Sequence, residues 1–371
     1  MKLKILQESL NESLHTAFRF TSSRAQLPVL GNIYMSAEKN KLIISATNLE
    51  MSFTTSIGSQ VEEEGKITVP ARVIVDLVTN LNPGTLSLET DKERLMISGE
   101  ENKFNISGMN VSDFPSVPHS IGKSYVDLSN QEFLEALSKV LFAVSGDETR
   151  PILTGVLLIF KEKDVHFVAT DGFRLSQKKI RVKEAFKKED KVIIPKNVLG
   201  EITRLAKTED IKMEIKKEDK QVVFAFEKAV LASRVIEGDF PDFERIIPKT
   251  SAVKIEVDRE DFLRAVKLIS VFARDSGNVI KVNVINNMLE LSAESQLSGS
   301  GEERIAAKIS EDVKGNKITI AFNFRFLEEY LNSVGGETIE IGLTDSNSPG
   351  VFKDPKDPNY LHLIMPVRIQ N

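Results

Sequence analysis

The sequence predicts an α+β protein built as three copies of one domain, and three recurrences along the chain carry that expectation. The first is an amphipathic helix. Residues 129–144 place Phe133, Leu134, Leu137, Val140, Leu141 and Val144 on one stripe, the spacing of a helix that buries a single face. The pattern returns at Phe262, Leu263, Val266 and Ile269, and stands near the start of the chain at Leu10, Leu14, Ala17 and Phe18. Ser129 with Glu132 forms a capping box ahead of the middle copy, and Asp258 caps the last, since a side-chain oxygen there accepts a first-turn amide. The first copy has Leu6 where the cap should stand.

The second recurrence is another helix in each copy: Val73, Ile74, Leu77, Val78 and Leu81; Val198, Leu199, Ile202 and Leu205; Phe326, Leu327, Tyr330, Leu331 and Val334. Val69-Pro70-Ala71-Arg72 and Ile194-Pro195-Lys196-Asn197 introduce the first two. Proline suits a helix start, because the amide it lacks would be unpaired there. Phe322-Asn323-Phe324-Arg325 introduces the third without proline. The third recurrence is a strand: residues 41–53, 164–176 and 288–295 align on Ala46, Ala169 and Ala293, each rich in β-branched or alternating apolar residues. Copies end at Asp113-Phe114-Pro115, Asp239-Phe240-Pro241 and Met365-Pro366, which places domains at 1–122, 123–249 and 250–371.

Composition narrows the function. The 371 residues, 41% hydrophobic, suffice for several cores, and the absence of cysteine excludes disulfides and thiolate metal sites and points to a reducing cytoplasm. No apolar run approaches the roughly 18 residues that cross a bilayer, so no membrane partner is expected. A net charge of −5 argues against a surface that coats nucleic acid throughout, while leaving room for a local basic face. Mixed runs such as Lys161-Glu162-Lys163-Asp164 read as solvated surface, and Glu62-Glu63-Glu64 as a charged loop.

No catalytic constellation emerges. Gly122-Lys123-Ser124 resembles the end of a phosphate-binding loop, but Val117 stands where its first glycine belongs. His15, His119, His166 and His362 lack metal-ligand spacing, and neither H-E-x-x-H nor G-x-S-x-G occurs. Asp171 has Asn48 and Glu294 as counterparts in the other copies, which makes it a structural element of the repeat.

Four separated stretches agree with the threefold repeat: Ala169 to Ser176 (ATDGFRLS), Leu363-Ile364-Met365-Pro366-Val367-Arg368, Gly238-Asp239-Phe240-Pro241-Asp242 and Leu27-Pro28-Val29-Leu30-Gly31. Together, and in order along the whole chain, they resemble the bacterial β sliding clamps of DNA replication. That resemblance implies the DNA clamp fold, two helices and two small antiparallel sheets per domain, with one chain as half of a closed ring. It implies no catalysis, no metal and no cofactor. It also implies double-stranded DNA as a sequence-independent partner, a second copy joined head to tail, an ATP-driven clamp loader, and polymerases or repair proteins that dock by a short peptide with a glutamine and an apolar end.

Carried over position by position, the peptide pocket comprises Arg150, Leu153, Thr170, Gly172, Phe173, Arg174, Leu175, Pro241, Arg245, Ile246, Leu363, Ile364, Met365, Pro366, Val367 and Arg368, with Phe173 where some relatives carry histidine. DNA contact falls to Arg24, Arg72 and Lys196, with Arg19, Lys139, Arg204, Lys267, Arg274 and Arg325 as weaker candidates on or beside the helices. The subunit joint matches Phe104 and Ile106 on an edge strand of the first domain and Val271 and Phe272 on a helix of the third.

Ring closure is consistent with size. A duplex roughly 20 Å across, ringed by helices about 10 Å thick, needs a circle of axes about 95 Å around, which holds on the order of ten to twelve helices. The repeat supplies six per chain, so two chains suffice. Two other readings stay open from the residues alone. One is a repeat-built scaffold without DNA, and the other is an enzyme assembled from dispersed carboxylates. Basic residues clustered on one helical face separate the clamp from the scaffold, and perturbed carboxylates converging in a cleft would favour the enzyme.

Overall fold

The computed structural model describes residues 1–22, 27–285, 287–310 and 318–368. Among these residues there are six α-helices, two for each sequence repeat: α1 Gln7–Phe18, α2 Ala71–Thr79, α3 Asn130–Val140, α4 Lys196–Leu205, α5 Arg259–Ala273 and α6 Phe324–Ser333. The aligned alanines Ala46, Ala169 and Ala293 lie buried in strands Lys41–Thr47, Asp164–Thr170 and Met288–Ser295, as the repeat requires.

The chain forms two compact units. The first comprises Met1–Asn130 and Arg204–Val235, and the second Gln131–Thr203 and Ile236–Asn371, so the division falls within α4. In the first unit a sheet of five strands runs in the order Gln60–Glu63, Lys2–Leu6, Thr85–Asp91, Arg94–Ser98, Lys103–Ser107. A second sheet of eight strands crosses from one repeat into the next. Met51–Gly58 pairs antiparallel with Ala229–Arg234, Phe53 opposite Leu231. Pairing across the repeats leaves neither strand with a bare edge. Helix α1 packs on α2, and the buried Gln7 side chain donates to the Val78 carbonyl at 2.7 Å.

The second unit holds a sheet of twelve strands, and its seam between repeats is Arg174–Arg181 against Tyr360–Ile364, with Leu175 opposite Leu363. Its main core joins the inner faces of α5 and α6, through Phe262, Val266, Ile269, Leu327, Tyr330 and Leu331, to strand residues such as Ile255, Leu291 and Ile341. Each large apolar side chain so buried contributes about 1.5–3 kcal/mol. A smaller core gathers Leu157, Val168, Leu175, Phe243 and Leu363 beside the seam.

Helix starts follow the sequence in two ways. Asp258 caps α5 by accepting the Asp261 amide at 2.9 Å, whereas Leu6 offers no side-chain cap and the Gln7 amide turns to the Gly84 carbonyl instead. Asn323 replaces the missing proline at α6, its side chain accepting the Arg325 amide at 3.0 Å.

Three expectations are corrected. Val73 is exposed, because α2 buries Ala71, Ile74, Val75 and Val78, a complete i, i+3, i+4, i+7 face from which Val73 is rotated away. Phe18 is exposed at the end of α1, and Phe20 takes the buried place, stacked on Phe53 at 5.1 Å between centroids. Glu62 and Glu63 belong to an edge strand rather than a loop, with Lys2 paired to Glu62 at 2.9 Å.

Candidate functional site

In the second unit the turn between strands Asp164–Thr170 and Arg174–Arg181 is built by its own side chains. The Asp171 carboxylate accepts the amides of Phe173 at 2.9 Å and Arg174 at 3.0 Å, and the Thr170 hydroxyl accepts the Gly172 amide while donating to the Arg174 carbonyl. Gly172 sits at φ +92°, where a side chain is strained, and an added Cβ would lie 3.2 Å from an Arg150 nitrogen. The result is a rigid knuckle that lifts Phe173 into solvent, 60% exposed. The Phe173 carbonyl accepts the Met365 amide at 2.8 Å, which fastens the C-terminal segment beside it.

Arg174 occupies the centre of this arrangement. Its guanidinium donates to Asp171 at 3.0 Å, to the Glu329 carboxylate on α6 and to the Phe142 carbonyl after α3. It also lies over the rings of Phe326 and Phe142, 4.5 and 5.4 Å from their centroids. A planar cation held by two carboxylates and two aromatic faces is fixed in direction as well as charge. Glu329, Phe142 and Phe326 were missed in the sequence reading. Phe326 carried a signal as a helical apolar residue, but nothing local pairs Glu329 with Arg174.

The other expected pocket residues divide by depth. Leu153, Leu175, Leu363 and Ile364 are buried, and Leu175 and Leu363 belong to the seam core. Their packing therefore serves the fold. Met365, Pro366 and Val367 are half-buried, with the Val367 amide bonded to the Ala321 carbonyl, and Arg368 is exposed. Pro241, Arg245 and Ile246 are exposed, Arg245 pairing with Asp242 at 2.7 Å. Arg150 is exposed and pairs with Asp147 at 2.9 Å.

Behind the turn lies a second buried charged cluster. Asp357 accepts from Lys178 at 2.6 and 2.7 Å and also from Lys139, while Glu135 stands 3.1 and 3.5 Å from the two ammonium groups. Burial pushes the Asp357 carboxyl up, but these ammonium groups outweigh it and hold it below the usual carboxylate range. Lys139 is thus committed inside the fold and is removed as a DNA candidate. His362, wholly buried, stacks on Tyr330 and has Nδ1 2.6 Å from the Ser176 hydroxyl, and burial with the nearby Arg174 charge holds its imidazole well below the usual range.

Of the other DNA candidates, Arg24 lies outside the described residues. Arg72 and Lys196 stand exposed in the first turns of α2 and α4, Arg72 loosely paired with Asp76 at 3.7 Å. For the joint, Phe104 is half-buried and Ile106 buried on the outermost strand of the five-stranded sheet, while Val271 is exposed and Phe272 packs inward beneath Gly301. Leu268, half-exposed one turn before Val271, was missed. The two line an open groove of about 360 Å³ with Glu260, Leu263, Arg264 and Lys267. Among the described residues no group of three His, Asp or Glu is placed to hold a metal.

Family models of the DNA polymerase III beta subunit match the chain in order: the N-terminal domain over residues 1–118, the central domain over 127–242 and the C-terminal domain over 244–368. The chain belongs to the DNA polymerase III beta subunit family. It is 32% identical to the beta sliding clamp of Synechococcus elongatus, with all of both chains covered. Its fold is similar to the DNA polymerase sliding clamp of Bacillus subtilis, at a TM-score of 0.94 and 26% identity over the whole of both chains. It is likewise similar to the C. crescentus beta sliding clamp, at a TM-score of 0.92 and 29% identity, again over both full lengths. Within this family fold, the knuckle at Gly172 lies on the strand seam joining the central and C-terminal matches.

Proposed function

We propose that the chain is a sliding DNA clamp: two copies joined head to tail encircle duplex DNA and tether the replicative polymerase, without catalysing a reaction. The observation that carries this reading is the ordered match of all three beta subunit domains along the chain. The domains are taken at 1–122, 123–249 and 250–371. No described helix is long and apolar enough to cross a membrane, and the reading places the chain in the cytoplasm.

Two unpaired edges support the joint. Lys103–Ser107 ends its sheet, and the Gly299–Arg304 part of the longest strand pairs on one side alone among the described residues. Such edges invite pairing with another chain. Phe104 of one copy would meet Leu268 and Val271 of the next, with Ile106 and Phe272 packed behind them, which gives the joint an apolar centre. Arg24, Arg72 and Lys196 would meet phosphates without reading sequence, as a sliding ring requires. Partner proteins, brought after a clamp loader has placed the ring, would lay a short peptide over the floor of Leu153, Leu175, Leu363 and Ile364. Phe173, Met365, Pro366, Val367, Arg150, Pro241, Arg245, Ile246 and Arg368 would border it.

The test is topological. Loaded onto circular duplex DNA by a clamp loader, the protein should stay bound in high salt and leave when the circle is cut. Loss in high salt from circular and linear DNA alike would reduce the interaction to ordinary charge attraction and overturn the ring.

A further inference from the structure

We infer that Glu329 is a positioning residue for partner docking: by holding the Arg174 guanidinium, it keeps the turn at residues 170–174 in its docking-ready shape before a peptide arrives. The inference rests on the docking reading of this pocket and extends it to a residue of α6 that the expected pocket did not include.

The geometry assigns the role by elimination of freedom. An arginine has five N–H donors. In Arg174 one edge goes to Asp171, within the turn itself, and a second donor goes to the Phe142 carbonyl. Both anchors lie in the central repeat. Glu329 is the anchor from the C-terminal repeat, reached across 155 residues of sequence. The Phe326 ring, one turn earlier on α6, lies under the same guanidinium. Without Glu329 the cation would still be tied to its own turn, but the turn would lose its charged brace to α6.

Glu329 is also half-exposed where Arg174 is buried, so the pair couples a solvent-facing carboxylate to a buried cation. An incoming peptide has two ways to meet this arrangement. It can bind against the shaped turn, with the brace intact, or it can displace Glu329. The first requires no rearrangement and gains from a preformed surface, since ordering the turn is then no part of the binding cost. The positioning role follows from the first route.

Two readouts test it. A fluorescein-labelled short peptide with a glutamine and an apolar end is titrated with the full chain by anisotropy, and amide hydrogen exchange is followed at Phe173 and Met365 without peptide. Glu329→Ala should weaken the peptide about tenfold, the scale of one hydrogen bond to a charged group, and should speed exchange at both amides. In an Arg174→Ala background the same substitution should change neither, because Glu329 acts through Arg174. Glu329→Gln, which keeps an acceptor of the same shape, should restore part of both effects and serves as the measured variant if Glu329→Ala is poorly folded. Equal effects in the two backgrounds, or none in either, overturn the role. Accelerated exchange with no binding by the unaltered chain would uphold the brace and overturn the docking reading.

Discussion

Asp357→Ala is the substitution with the largest consequence that can be worked from the structure. The carboxylate lies beside two ammonium groups, Lys139 and Lys178, whose side chains are each only 9% exposed. Removing it leaves both cations buried with Glu135 alone, itself 46% exposed and thus wetter and weaker as a partner. Breaking a buried ion pair costs roughly 3–5 kcal/mol, and the remaining Glu135 contact sets the expectation at the low end, about 3 kcal/mol. For a cooperative unit of roughly 150–250 residues each kcal/mol moves the melting midpoint by about 2–4 °C, so the drop should be about 6–12 °C. Calorimetry of the full chain, with the transition of the second unit followed separately, measures it. Adding Lys139→Met to Asp357→Ala should recover part of the loss, because the uncompensated charge is then gone. A drop under about 2 °C, or no recovery with the methionine, would mean that water reaches the cluster and that the cluster does not hold the seam.

Acid should weaken the chain in two stages. His362 is held neutral in the folded state by burial and by Arg174, so the unfolded chain alone takes up its proton as pH falls through about 6.5, and stability declines from there. Asp357, held below its usual range, adds its own loss only under about pH 4, where the unfolded chain takes up a proton that the folded cluster still excludes. A melting midpoint that stays flat between pH 7 and 5 would contradict the neutral His362. At the joint, Leu268→Asp with Val271→Asp should shift the protein from dimer to monomer in sedimentation while leaving its melting profile within a few degrees, since both side chains are already exposed. An unchanged dimer would move the joint elsewhere.

The repeat and its helices were legible because they depend on short-range periodicity. Leu10, Leu14 and Ala17, Val198, Leu199 and Ile202, and Leu327, Tyr330 and Leu331 all face their cores as spaced. Where the reading slipped, the local pattern supported two phases. Val73 and Val75 are equally apolar, and Val75 turns inward because it shares a face with the buried Ala71, Ile74 and Val78. Glu62 and Glu63 read as a loop because charge is rare in strands, yet a sheet edge tolerates it and gains from it, since glutamates discourage unwanted pairing. The way the sheets cross the repeats was not legible at all. Phe53 meets Leu231, and Leu175 meets Leu363, through registers that no single repeat encodes.

Lys139 and Arg72 show how the same argument governs the site. Each is a basic residue on a helix of the repeat, and although the resemblance ranks Arg72 ahead of Lys139, helical periodicity alone does not separate them. The difference is their surroundings. Lys139 meets a carboxylate from the far end of the chain, Asp357, and its ammonium spends its charge there. Arg72 has its own helix neighbour Asp76 at 3.7 Å in open solvent, a pairing that salt and a phosphate can readily replace. A cation's availability to DNA is therefore set by whether its anion is buried with it, and burial is decided by contacts hundreds of residues apart. The same holds for Arg174, whose planar head looks in sequence like a free hand for a peptide and in the fold is a brace between repeats. Charge alone therefore nominates residues for a site, and the competing anions of the fold decide which of them face outward.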